Sequence, residues 1–194
     1  MSLLTIGSRG SAVTAFQNDI IQLGFGEYLD RFGADGIFGQ ASKKATEKVQ
    51  DFVGAKVDGI VGNETRSKVK QAKRNAGNKG TRNFKISEFN CKGTGKMLKG
   101  GMDSELILKL ETLRYRLGNK ALIINSGYRS ESHNRRVGGA PKSLHLYGKA
   151  ADIVVRGVSA SRVYQEADKL FSNGGVGKYN TFTHVDTRSG KARF

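Results

Sequence analysis

A five-residue pattern occurs twice in the first third of the chain, as Asp35-Gly36-Ile37-Phe38-Gly39 and as Asp58-Gly59-Ile60-Val61-Gly62. Each copy stands immediately before a stretch with helical periodicity. The backbone must therefore turn tightly at two fixed places and send a helix away from each. The glycines permit the turn and the apolar residues pin it to a core. Ahead of the first copy, Val13, Phe16, Ile20 and Leu23 fall on one face of a helix, and Gly24 is placed to end it. A second helix is predicted from about Ala41 to Phe52, with Ala45, Val49 and Phe52 as its apolar stripe. A third is predicted from Asn63 to Ala72. The segment contains no histidine, so its doubled turns read as structure rather than chemistry. The expectation for residues 1–73 is an all-α three-helix bundle.

Gly7-Ser8-Arg9-Gly10, Val13, Phe16-Gln17, Leu23-Gly24-Phe25 and the paired D-G-x-x-G turns resemble the three-helix peptidoglycan-binding domain of many cell-wall hydrolases. The resemblance covers residues 3–72 and implies peptidoglycan as partner. One departure is Val49-Gln50-Asp51-Phe52, where that family more often has an adjacent Phe-Gln pair. Residues 74–83 are rich in Gly, Asn and charge without apolar periodicity, and are expected to form a flexible, solvated linker.

From residue 84 to 194 the pattern is mixed. Asp103 or Ser104 can cap a helix whose buried stripe is Leu106, Leu110, Leu113 and Leu117, with Gly118 as its stop. Residues 121–124 and 150–155 read as strands, 159–171 as a helix, and 175–177 and 181–187 as two further strands. Helices with an antiparallel or mixed sheet in one domain define an α+β class.

The formal net charge is +16, and it is unevenly held: residues 1–75 carry 11 basic and 8 acidic side chains, the remainder 22 and 9. Such a field draws a protein to polyanions, anionic envelope polymers among them. The lone cysteine, Cys91, excludes an intrachain disulfide and a multi-cysteine zinc site, and is expected to be a small buried apolar residue. The N-terminal residues lack a basic segment followed by an apolar one, so synthesis in the cytoplasm without a signal peptide is expected. No apolar run is long enough to span a membrane. A monomer is the expected state.

The chemistry lies in the second half, which holds all three histidines, His133, His145 and His184. In the predicted strand Thr183-His184-Val185-Asp186, alternation puts His184 and Asp186 on one face, with Cα atoms about 6.6 Å apart. Asp152 sits inside an apolar strand, where a carboxylate is costly unless something pairs it; a metal ion would do so. Two imidazoles and a carboxylate form a common catalytic zinc set. Zinc lowers the pKa of water to about 7 and so supplies a nucleophile at neutral pH. Gly93-Thr94-Gly95-Lys96 lacks the spacing of a phosphate-binding loop and reads as an ordinary loop.

Ser126-Gly127-Tyr128-Arg129-Ser130, His133-Asn134, Val137-Gly138-Gly139-Ala140, Ser143-Leu144-His145, Gly148-Lys149-Ala150-Ala151-Asp152 and His184-Val185-Asp186 together resemble the zinc D-Ala-D-Ala carboxypeptidase family. That family also includes phage L-Ala-D-Glu endopeptidases and the vancomycin-resistance dipeptidases. The resemblance covers residues 84–188. It implies a zinc peptidase with His145, Asp152 and His184 as ligands and Arg129 facing the substrate carbonyl or carboxylate. It also implies Ser143, His133 and Tyr128 as substrate contacts. Several relatives carry a glutamate general base three residues before the last histidine; here that position is Thr181, which cannot take a proton. Asp186 is therefore expected either as the general base or as the partner that orients His184.

Domain order, charge and the two resemblances imply a modular phage endolysin that hydrolyses peptidoglycan stem peptides at the cell wall. The expected cut is endopeptidic, at L-Ala-D-Glu or a cross-link. The alternatives are a D-Ala-D-Ala carboxypeptidase and a non-catalytic wall-binding protein. No motif for specific nucleic-acid recognition is present.

Overall fold

The computed structural model describes residues 2–194, which divide into two units, one ending at residue 74 and the other spanning 75–194. In the first, α1 spans Ser11–Gln22, a 3-10 stretch Gly26–Phe32 and α2 Gln40–Val53, and α3, Asn63–Lys79, begins there. Val13, Phe16, Ile20, Leu23, Ala45, Val49 and Val69 are buried and form the core. Gly24 lies at φ 83° after α1, as the sequence predicts.

The doubled turn proves to be a doubled hydrogen-bond clamp. Gln17 Nε2 lies 2.9 Å from Asp35 Oδ1, 3.1 Å from the Ile37 carbonyl and 3.0 Å from Ser42 Oγ, and Gln17 Oε1 accepts from Gly36 N at 2.8 Å. Gln50 repeats this. Its Nε2 lies 2.9 Å from Asp58 Oδ1, 2.9 Å from the Ile60 carbonyl and 3.1 Å from Thr65 Oγ1, and its Oε1 accepts from Asp58 N and Gly59 N. Gly36 and Gly59 take matching positive φ of 75° and 71°, where a Cβ would be strained. The glutamine performs the clamp, so Val49 in place of an aromatic leaves it intact. The N-terminal segment then pins both turns, pairing Arg9 with Ile37 and Leu4 with Val61.

The expected linker is corrected by the structure. Helix α3 continues to Lys79, well past Ala72. Ala76 is fully buried, and the Gly77 carbonyl accepts from Met102 N at 2.9 Å. Beyond the helix, the buried carboxylate of Glu111 accepts from Thr81 Oγ1, Asn83 N and Asn83 Nδ2. The Gly- and Asn-rich composition conceals this because the partners are backbone groups and a single distant glutamate.

The second unit has helices α4 (Ser104–Arg116), α5 (Glu131–Arg136) and α6 (Ala160–Leu170) and strands β1 (Leu122–Ser126), β2 (Ala150–Val155), β3 (Gly175–Lys178), β4 (Thr183–Asp186) and β5 (Ala192–Arg193). Asp103 caps α4 by accepting from Glu105 N, and Ser159 caps α6 by accepting from Arg162 N. The sheet order is β1-β2-β4-β3-β5; the β3/β5 pair is parallel and the rest antiparallel, so the sheet is mixed. The apolar stripe of α4 and Val163, Ala167 and Phe171 bury against it. Helix α5 and strand β5 are too short to show periodicity and were not legible beforehand. Among the described residues, no helix is long and apolar enough to cross a membrane.

Candidate metal centre

Strand register assembles the site. Asp152 on β2 lies directly opposite His184 on β4, which lies opposite Gly177 on β3; on the other side Asp152 pairs with Ser126 of β1, beyond a bulge between Ile124 and Ser126. A transverse row Ser126–Asp152–His184–Gly177 therefore crosses the sheet. The third imidazole-or-carboxylate position comes from outside it. His145 rides on a 3-10 turn, Leu144–Tyr147, that leads into β2.

The donors converge. His184 Nδ1 is 2.8 Å from Asp152 Oδ1, and His145 Nε2 is 3.3 Å from the same oxygen and 3.4 Å from His184 Nδ1. One ligand atom from each residue lies within 4.8 Å of the other two. The far side of each ring fixes its tautomer. His145 Nδ1 is 2.7 Å from the Gly127 carbonyl, which can only accept, so Nδ1 carries the proton and Nε2 keeps a lone pair. His184 stands between two carboxylates, Nε2 3.1 Å from Asp186 Oδ2 and Nδ1 2.8 Å from Asp152 Oδ1, and a proton held on Nε2 by Asp186 would leave the Nδ1 lone pair for a metal ion. Two lone pairs and a carboxylate oxygen thus face one point, and the donor set fits a zinc ion.

Burial alone would push the Asp152 carboxyl up, but its hydrogen-bond contacts with His145 and His184 hold it well below the usual carboxylate range. Burial would also lower His184, yet its hydrogen bonds to Asp152 and then Asp186 raise it. Asp152 Oδ2 accepts from Arg129, whose Nε donates to Ser126 Oγ at 2.8 Å. Arg129 thus sits in the site, fixed by the same row.

Asp186 is fully buried. It accepts from Gly175 N at 3.0 Å, from Arg188 N at 3.1 Å, and from the Arg188 guanidinium at 2.6–3.1 Å, besides facing His184. Burial pushes its carboxyl up, but hydrogen bonds from His184 and Arg188 hold it well below the usual range. It is absent from the residues lining the cleft. Of the two roles expected for Asp186, this geometry fits the orienting partner. It departs from a general base, which needs access to the reacting atoms.

The cleft has a volume of about 650 Å³ and is walled by Arg129, Lys142, Ser143, His145, Asp152 and His184 on its polar side and by Tyr179, Phe182 and Phe194 on its aromatic side. Tyr179 and Phe182 stack with centroids 4.2 Å apart. Ser143 reaches the cleft as the sequence reading expects. Tyr128 and His133 do not. Tyr128 lines a neighbouring hollow, and His133, on α5, faces Arg136 at 3.1 Å and packs on Gly93. Both are close to Arg129 in sequence, but Tyr128 lies one residue before it and turns to the neighbouring hollow, while α5 carries His133 away from the row.

Sequence reasoning missed Arg188 and Phe194. Phe194 packs on the His184 ring with centroids 5.5 Å apart and lies under the Arg188 guanidinium at 5.5 Å. Gly177 makes room for it, since a Cβ there would approach the phenyl ring to 2.7 Å. Contacts therefore close a loop from His184 through Asp186, Arg188 and Phe194 back to His184. Arg188 could have been noticed, because it lies two residues beyond Asp186 in Asp186-Thr187-Arg188.

The fold and site define a two-module protein in which a three-helix unit accompanies an α+β unit with a candidate His/Asp/His metal site. Residues 82–186 match the peptidase M15 family and residues 9–69 match a putative peptidoglycan binding domain. The chain belongs to the peptidase M15 family. It is 34% identical over 157 residues to the zinc D-Ala-D-Ala carboxypeptidase of Streptomyces albus G, covering 77% of this chain and 60% of that protein. It is 42% identical over 95 residues to the probable peptidoglycan L,D-endopeptidase MepK of Haemophilus influenzae, covering 44% of this chain and 50% of that one. The chain thus spans between half and three-fifths of the length of these curated relatives.

Proposed function

We propose that this protein is a zinc peptidase that hydrolyses a peptide bond in peptidoglycan stem peptides, with its N-terminal unit holding the enzyme on the wall. The observation that carries this reading is the convergence of His145 Nε2, Asp152 Oδ1 and His184 Nδ1, each oriented from behind, on one wall of an open cleft. His145, Asp152 and His184 would hold the ion. Zinc bound there supplies a Lewis acid for the scissile carbonyl and acidifies water. Arg129, fixed between Asp152 and Ser126, places a permanent positive charge beside the row, suited to charge developing on the carbonyl oxygen. Asp186 keeps the proton on His184 Nε2 and so keeps Nδ1 available. Ser143 offers a hydroxyl to the substrate backbone from the cleft wall. Tethering by the first unit raises the local concentration of wall peptide.

The cut is endopeptidic in this reading, and the protein acts as a bacteriolytic, endolysin-type enzyme at the cell wall; the paired modules and the net charge of +16 support it. A D-Ala-D-Ala carboxypeptidase is the second reading, favoured by the relative that is similar over 77% of the chain. Digestion of purified peptidoglycan with and without chelator, followed by mass spectrometry, tests both. New amino termini within stems, abolished by chelator and restored by zinc, support the endopeptidase. Free D-alanine without loss of wall mass supports the carboxypeptidase, and no product from zinc-loaded protein refutes both.

A further inference from the structure

Three cationic side chains line the cleft: Arg129, Lys142 and Arg188. Their commitments differ. Arg129 is ion-paired with Asp152, and Arg188 is held by the buried carboxylate of Asp186 and stacked on Phe194. Lys142 is exposed, and among the described residues none hydrogen-bonds or ion-pairs with it. No acidic side chain other than Asp152 lines the cleft, and Asp152 is already engaged by Arg129, His145 and His184. The wall of a metal cleft thus presents one ammonium with no partner of its own. The main chain that carries it is held by the backbone. Ser143 N donates to the Ala140 carbonyl, and the next residues form the turn that carries His145.

We infer that Lys142 is a specificity-determining residue that binds a free carboxylate of the substrate, namely the α-carboxylate of the residue whose amide nitrogen is released on cleavage. This rests on the peptidase reading and narrows it. A carboxylate in that place exists in only a few peptide chemistries. It occurs where the released residue is the C-terminal one, or where a glutamyl residue is linked onward through its side chain and keeps its α-carboxyl free. An ordinary α-linked chain has an amide there instead, which offers the ammonium a weaker, uncharged acceptor. The L-Ala-D-Glu and D-Ala-D-Ala bonds share the feature, whereas a cross-link to a lysine side-chain amine lacks it, so the inference holds for either of the first two and selects against the third. It predicts that the enzyme ignores α-linked polypeptides of the same side-chain composition.

The test uses two matched pairs of peptides with the zinc-loaded full chain. One pair is L-Ala-γ-D-Glu-L-Lys and its form with the glutamyl α-carboxyl as carboxamide; the other ends in D-Ala-D-Ala or in D-Ala-D-alaninamide. Saturation-transfer NMR titration gives Kd for each peptide, and mass spectrometry of the same samples reports cleavage. For at least one pair the wild type is expected to bind the acid about tenfold more tightly than the amide. In Lys142→Ala that preference collapses to below about twofold, and Lys142→Arg restores most of it. Equal binding of acid and amide in both pairs by the wild type, or an equal weakening of acid and amide in Lys142→Ala, overturns the inference. If the wild type prefers the acids but cuts none of the four, the peptidase reading fails while the carboxylate site stands.

Discussion

Replacing Asp186 by Asn changes one atom in the row's support and should cripple the metal site. The Asp186 carboxylate is surrounded by donors on both oxygens: Oδ1 faces Gly175 N, Arg188 N and Arg188 Nε, while Oδ2 faces His184 Nε2 and Arg188 Nη2. An amide has one oxygen and one NH2, so in either orientation an N–H group meets donors. If the NH2 faces His184, the imidazole can answer only by moving its proton to Nδ1, the atom that faces Asp152 and His145. A protonated Nδ1 cannot ligate. Losses of 10–100-fold in metal affinity are typical when such a supporting partner is removed, and the tautomer conflict places Asp186→Asn toward the upper end. The lost charge also strands the Arg188 guanidinium. Because Arg188 is partly exposed, that should cost less than the roughly 3 kcal/mol of breaking a buried pair. Zinc affinity is measured by competition with a chromophoric chelator at neutral pH, with Thr187→Val, one residue beyond β4, as a neighbouring control. A variant that holds zinc within threefold of the wild type refutes the claim that Asp186 sets the His184 tautomer.

Gly175→Ala should also weaken metal binding and destabilise the second unit, because the added methyl would sit 2.1 Å from Asp186 Oδ2 with no flexible neighbour to yield; thermal unfolding and the same chelator competition read both effects. Gln17→Leu and Gln50→Leu should each cost about 3 kcal/mol, since turn N–H groups lose their acceptor at about 1–3 kcal/mol per unsatisfied group. Amide hydrogen exchange across α1 and α2 measures the loss, and a change below 0.5 kcal/mol in either variant would show the clamps to be idle. Asp35 is held below its ordinary pKa by the Ile37 N–H and then Gln17, and Asp58 by the Ile60 N–H and then Gln50. A depressed carboxyl stabilises the fold above its unfolded pKa of about 3.9 and loses that contribution as pH falls. Acid unfolding of the first unit should therefore begin below about pH 4, and should become shallower in Asp35→Asn or Asp58→Asn.

The long periodic elements could be read from the chain because their apolar faces repeat: α1, α2, α4, α6 and β2 stand where the spacing of Phe16, Val49, Leu110, Val163 and Ile153 puts them. The metal triad was legible for a different reason. Asp152 is a charge in an apolar strand and His184 shares a strand face with Asp186, and both are local facts, whereas the full ligand set with His145 came from the family resemblance. What failed to show is what depends on distant partners. The capture of Thr81 and Asn83 by Glu111 turned an apparent linker into ordered chain. The hold of Arg188 and Gly175 on Asp186 was equally invisible. Phe194 reaches His184 only because β5 pairs with β3, a two-residue ladder that no pattern announces.

In the N-terminal unit, helix α2 supplies Ser42 to the first clamp and Gln50 to the second. The two turns, though built alike, are therefore not independent modules laid end to end. Neither half can be released without unseating the helix they share, so the repeat behaves as one cooperative opening unit rather than two. A cut or insertion between residues 42 and 50 would be felt at both turns at once. Duplication here gives unity of unfolding, where tandem repeats ordinarily give graded, piecewise loss.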